Sequence, residues 1–405
     1  MKWKTERFGD VCTFVRGPFG GSLKKNIFKE DGYAVYEQQH AIYDQFTDIR
    51  YFVDEEKFLE MSRFELFAGD LIMSCSGTMG KIAIVPSGIP RGIINQALLK
   101  LTPKGDLSPK FLKLWMESRN FQEQIEFLSQ GAAIKNMASV KTLKEIRVPR
   151  PPLEEQKRIV AILDQVFADI EKARATAETN LKNARELFDS YLQQVFSQRG
   201  EGWIDKTLKD ASLDFGRGKS KHRPRNDESL YGGGYPFIQT GDVRNCEHLI
   251  TTYSKTYNEK GLSQSKRWPK GTICITIAAN IAETGILDFD ACFPDSVIGV
   301  VVNPDIATIG FVEFLLQSFK AILKAEGKGS AQDNINMGTF ENLKFPFPPV
   351  NQQVEIVESL NNFMISIQEL EKIYLNKISS LEELKKSILQ KAFSGELTKN
   401  KVEVA

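Results

Sequence analysis

The chain has 405 residues, more than one hydrophobic core normally organises, so two or more domains are expected. With 41% hydrophobic and 26% charged residues it falls in the globular class, and no apolar run approaches the roughly 20 residues of a membrane helix. A formal net charge of +1 excludes a uniformly basic protein, so contact with nucleic acid would have to come from local basic patches.

In chain order, residues 1–10 are charged and lack the apolar stretch of a signal peptide, which predicts a cytoplasmic protein without a membrane partner. Trp3 opens the first half, and Lys24 and Lys25 follow in a loop-like stretch. Residues 32–36 read as a strand entered from a glycine turn, with Gln38, Gln39 and His40 just beyond it. Residues 69–73 read as another such strand, and Cys75 beside it as a small buried hydrophobe. Five cysteines without a CxxC pair, and three histidines, argue against structural zinc, and no metal site is expected.

From Gly131 the sequence begins a segment that returns near Lys328. Val140 aligns with Met337, Pro149 with Pro346, Gln156 with Gln353 and Ile159 with Ile356, at a constant offset of 197 that persists to Ser197 and Ser394. The front parts of the halves match only in outline: Trp203 answers Trp3, residues 234–238 answer 32–36, and 271–275 answer 69–73. The pattern suits one scaffold displaying two different surfaces. Pro151 and Pro152, and again Pro348 and Pro349, cannot continue a strand ladder; each pair ends a globular unit and starts a helix.

After the first proline pair, apolar residues recur in steps of four and three: Ile159, Leu163, Val166, Ile170, Ala173, Ala177, Ala184, Leu187 and Tyr191. The second copy carries Ile356, Leu360, Phe363, Ile367, Leu370, Tyr374, Leu381, Leu384 and Ile388 on the same spacing. Neither stripe can remain in water, and a pseudo-two-fold axis generated by duplication would pair the helices antiparallel. Centred near position 175, that axis would put Ala173 opposite Tyr374 and Ala177 opposite Leu370. The seam position is polar in both copies, Asn180 and Lys377; either these fix register, or they point outward while Leu181 and Ile378 fill the seam.

Three chemistries suggest themselves and are set aside. Residues 215–220, FGRGKS, end like a phosphate-binding loop, but Leu213 stands where a further glycine is needed and residues 208–215 make a poor strand. Asp305 with Glu326 and Lys328 fits the loose pattern of a stand-alone Mg-dependent nuclease, yet the Glu-x-Lys closes a helix-like run instead of lying in a core strand. A base methyltransferase would need a glycine-rich cofactor loop and an aromatic-proline motif, and neither is present.

The repeat, PPLEEQKRIVAILD at Pro151, IQTGDV at Ile238 and ILQKAFSGEL at Ile388 together resemble the specificity subunits of type I restriction-modification systems, over essentially the whole chain. The resemblance implies an α+β protein with two homologous target-recognition domains separated by a long antiparallel two-helix coiled coil. The division would be 1–150, a first helix at 151–199, a second domain at 200–347 and a second helix at 348–398. Each domain would read one half of a split site in double-stranded DNA, without catalysis by this chain. It implies two modification (methyltransferase) subunits and motor-nuclease restriction subunits as partners. S-adenosylmethionine, ATP and Mg would belong to those partners, with no cofactor bound here. Asn351, Gln352 and Gln353 stand where the first helix has Glu154, Glu155 and Gln156, a departure that bears on the equivalence of the two docking surfaces the resemblance implies.

Phosphates are met by Lys and Arg, and base edges by Arg, Lys, Asn and Gln. Three places in each half offer such groups. The first holds Lys24 and Lys25, with Lys219, Lys221, Arg223 and Arg225 in the second half. The next holds Gln38, Gln39 and His40, answered by Gln239 and Thr240; the last holds Lys135 and Asn136, answered by Gln332, Asp333 and Asn334.

Overall fold

A computed structural model describes residues 3–19, 21–129, 139–222, 224, 226–278, 281–323 and 337–397. The chain divides into two compact units, one made of residues 1–178 and 376–405 and the other of residues 179–375.

In the first unit the central sheet runs in the order Cys12–Arg16, Leu98–Pro103, Leu71–Ser74, Ile82–Ile84, with every neighbour antiparallel. All four residues of Leu71–Ser74 are buried, which explains why the strand reads as an unbroken apolar run and not as an alternation. A smaller sheet is ordered Phe52–Val53, Tyr33–Tyr36, Gly92–Ile94, and a ribbon pairs Thr5–Arg7 with Arg147–Pro149, bringing the domain's first and last strands together. Helix Pro109–Glu117 starts at Ser108, whose side chain accepts from the Phe111 amide, with proline in the first turn. Its buried Phe111 shares a core with Ile159, Leu163, Leu389 and Ala392, so it is seated against both long helices.

The second unit repeats this order. Its central sheet runs Ser212–Arg217, Val297–Val302, Ile273–Thr276, Thr284–Leu287, with Leu249–Ile250 added in parallel at the edge. The smaller sheet is Lys255–Tyr257, Tyr231–Phe237, Ala291–Cys292, Arg267–Trp268, and the ribbon pairs Ile204–Lys206 with Phe345–Phe347. Helix Ile309–Ser318, capped by Thr308, puts Phe311 among Leu192, Phe196 and Leu360. The front segments, alike only in outline as sequence, therefore share a core strand order, to which the second unit adds the edge strands Leu249–Ile250 and Arg267–Trp268.

One expectation fails here. The stretch judged a poor strand ends in a real one, Ser212–Arg217, held as an edge by antiparallel pairing to Val297–Val302. An antiparallel edge is not the buried parallel strand a phosphate-binding loop requires. The glycine after it has a packing reason: a Cβ on Gly218 would lie 2.2 Å from the Phe293 carbonyl oxygen, just as one on Gly17 would lie 1.8 Å from that of Asn95. In both halves only glycine lets the chain leave the sheet at this point.

The long helices are Leu153–Ser197 and Val350–Ser394, 45 residues each and about 65 Å long at 1.5 Å per residue. They run antiparallel in each unit. In the first, Glu171 meets Lys385 at 2.8 Å and Arg174 meets Glu382 at 3.5 Å; in the second, Arg185 meets Glu371 at 3.0 Å and the Tyr191 hydroxyl lies 2.9 Å from Ser359 Oγ. The register differs from the expected one. Ala173 is level with residues near 383, about two and a half turns beyond Tyr374, and the level of Ala177 moves away from Leu370 likewise. The seam also drifts off the strict heptad. Ile159, Leu163, Ala177 and Leu360 are buried and Ala173, Ile356 and Tyr374 half-buried, but Leu187, Leu370 and Leu384 are exposed, their places taken by Phe188, Glu371 and Lys385 one residue later. An α-helix with 3.6 residues per turn slips about 20° per heptad against a 3.5-residue stripe, so the buried face moves on by one position where the supercoil is weak. Lys377 is exposed with Ile378 half-buried, whereas Asn180 and Leu181 are both half-buried.

Candidate nucleic-acid interface

In the first unit Tyr33–Tyr36 delivers the chain into helix Gln38–Tyr43, which is closed by a capping box: the Glu37 amide donates to His40 Nδ1 at 2.8 Å. His40 is wholly buried beside Tyr36 and Phe46, and that burial pulls its pKa below the ordinary imidazole value. The sequence placed it among polar loop groups, whereas the fold sets it in a helix with no exposed surface. Gln38 is half-buried; its amide donates to the carbonyls of Ser76 and Thr78 and accepts from Ser76 Oγ at 3.1 Å, tying down the loop after Leu71–Ser74. Gln39 donates to the Asp48 carbonyl at 3.1 Å. Lys24 and Lys25 are exposed at the start of a single turn, Lys25–Ile27.

The second unit uses the same device with other residues. Gln239 caps helix Thr240–Arg244, and its amide donates to Asp242 Oδ2 at 2.8 Å, the acid standing where His40 stands in the first copy. Lys219 and Lys221 are exposed on either side of the buried Ser220, and Ser265 Oγ donates to the Lys219 carbonyl at 2.8 Å. His222 Nε2 lies 2.7 Å from Asp227 Oδ2. Hydrogen bonds from Ser229, and then from His222, pull the Asp227 carboxyl down to about 2, which keeps it ionised and the turn in place.

One of the expected groups, Gln239 with Thr240, lines a cleft here, next to Ser220, which stands between Lys219 and Lys221. Ser220, Gln239 and Thr240 line one open cleft of about 210 Å³ with Asn226, Tyr231, Phe237 and Lys255. Sequence reasoning missed Lys255, Asn226 and Tyr231. Lys255 pairs with Phe237 across the sheet and holds its ammonium 4.9 Å from the centre of the Tyr231 ring. The available signal was the alternation of basic and aromatic residues around Tyr253, Lys255 and Tyr257. The cleft offers a cation, amide and hydroxyl groups and an aromatic face, the set that meets phosphate oxygens and base edges.

Lys135, Asn136, Arg223, Arg225, Gln332, Asp333 and Asn334 lie outside the described residues, as do Glu326 and Lys328 of the nuclease pattern; Asp305 is exposed on a turn. Among the described residues no group of three or more His, Cys, Asp or Glu could hold a metal ion, and no helix is long and apolar enough to cross a membrane.

Comparison with known proteins gives a consistent match. The chain fits the type I restriction modification DNA specificity domain twice, over residues 1–179 and 201–380. It is 23% identical to the specificity subunit of the type I restriction enzyme StySPI from Salmonella potsdam, over 98% of this chain and 89% of that one. The fold is shared with a chain solved for a study of assembly and conformational transition of the type I R-M system, at a TM-score of 0.74 and 20% identity, with 98% of both chains covered. It is shared also with the HsdS subunit from Thermoanaerobacter tengcongensis, at 0.65 and 19%, covering 98% and 97%.

Proposed function

The chain belongs to the family of type I restriction-modification DNA specificity subunits, and from that premise we propose that each of its two globular domains reads one half of a split site in double-stranded DNA. Its own work is sequence recognition and not catalysis. The observation that carries the split reading is the duplicated strand order, which ends in both halves at a glycine exit, an exposed lysine pair and a boxed helix. A shared scaffold with different residues at the start of the boxed helix, Gln38 in one and Thr240 in the other, is what two readers of unlike half-sites require.

On this reading residues 1–150 and 200–347 are the recognition domains, and 151–199 and 348–398 the helices that join them. Lys24, Lys25, Lys219, Lys221 and Lys255 hold phosphates, and Gln239 and Thr240 in the cleft beside Lys255 read bases. Two modification subunits dock and use S-adenosylmethionine; restriction subunits bring ATP and Mg. The assembly works in the cytoplasm. The test is an exchange of residues 203–347 for the matching segment of a relative, followed by mapping of the methylated site in cells that also carry the modification subunit. One half of the site should change and the other persist. A change in both halves would end the two-reader account.

A further inference from the structure

Gln156 and Gln353, which the repeat aligns, are two polar side chains with no exposed surface at all. Each sits in the first turns of a long helix, and the two have a matching pair of bonds, to which Gln353 adds a third. Gln156 Oε1 accepts from the Ser108 amide and its Nε2 donates to the Pro151 carbonyl, both at 2.9 Å. Gln353 Oε1 accepts from the Thr308 amide, and its Nε2 donates to the carbonyls of Pro348 and Ile306, all at 2.9 Å. Ser108 and Thr308 are the capping residues of the helices that carry Phe111 and Phe311 into the long-helix cores.

One amide thus joins three things: the cap of a domain helix, the proline turn at the end of the domain and the root of the long helix. An apolar residue of equal size would fill the space but not fix the angle, because apolar contact has no direction. A buried amide has one, and loses it only by leaving backbone groups unpaired. We propose that Gln156 and Gln353 are positioning residues that set the angle at which each recognition domain is carried on its long helix, and so the spacing between half-sites that the chain accepts. The inference rests on the two-reader function proposed above.

The test uses the full chain in complex with its modification subunit. Methylation by S-adenosylmethionine is measured on duplexes carrying the mapped site with its natural spacer and with one base pair more or fewer. Wild type should prefer the natural spacer, and Gln156→Met and Gln353→Met should each lower that preference about tenfold while both half-site sequences stay the same, a factor in line with a buried hydrogen bond left unmade. Gln156→Asn keeps both polar groups on an arm too short to hold both bonds and gives the same readout if a Met variant fails to fold. A folded variant with unchanged spacer preference overturns the proposal. So does a variant that accepts altered bases in one half-site, which would make the glutamine part of the reading surface. A wild-type complex without site-specific methylation removes the two-reader function, and the inference with it.

Discussion

With its ammonium over the Tyr231 ring, Lys255 presents a charge whose stem is already fixed by the strand that carries it. A phosphate contact from such a residue adds affinity without adding sequence preference. Lys255→Ala should therefore weaken binding of specific and unrelated duplexes alike and reduce the salt-dependence slope by about one, read from titrations at several salt concentrations. Selective loss of the cognate duplex would instead mean that Lys255 reads a base. His248 carries a different consequence. Burial disfavours its charge, but the hydrogen bond and charge of Glu313, at 2.7 Å, outweigh this and raise its pKa above the ordinary imidazole value. Glu313 is itself buried, and accepts also from Thr284 and Gln317. A raised folded-state pKa means stability that is fully present below the unfolded value and lost as pH rises through the folded one. Glu313→Gln should remove that dependence, so the difference in melting temperature between wild type and variant should be larger at pH 5.5 than at pH 8. An equal difference at both would show that the pair is not charged in the fold.

The helices show how far sequence carries and where it stops. Their existence, their length and their antiparallel pairing follow from stripe and repeat, because a 45-residue amphipathic face leaves few alternatives. Register did not follow. Matching small to large residues pointed to an axis near 175, whereas Arg174 with Glu382 in one unit and Arg185 with Glu371 in the other each set a register about two and a half turns from the one that axis implies. Matching volumes along the seam leaves out the contacts of the domain cores with the helices, at Phe111 and Phe311. The burial of His40 was not legible either: its neighbours in sequence are polar, and only the fold brings Tyr36 and Phe46 around it. Lys255 was overlooked although it alternates with Tyr253 and Tyr257, because only strand pairing sets it beside Phe237 and the cleft. Ala177, 1% exposed, remains the sharpest test of the seam. Ala177→Phe should overpack it and cost about 1–3 kcal/mol, seen as a lower melting temperature. An unchanged melting temperature would mean that this stretch of helix is not packed as described.

At the scale of the whole molecule, the long helices are the elements that both units share, residues 153–178 and 376–394 belonging to one and residues 179–197 and 350–375 to the other. If they join two readers, their length sets the separation of the half-sites. Seven residues added to both helices, after Glu178 and after Leu375, preserve the apolar stripe and lengthen each helix by about 10.5 Å, on the order of three base pairs of B-DNA. Neither domain is altered, so neither half-site should change. The methylated site should acquire a spacer about three base pairs longer. Since three base pairs also turn the duplex by roughly a third of a revolution, the longer site should be methylated more slowly than the natural one is by wild type. Insertion in one helix alone displaces the stripe against its partner and should be far less active than the paired insertion. Mapping of methylated bases in cells carrying each variant decides the matter. An active paired insertion that still methylates the original site would show that the helices do not measure the spacer.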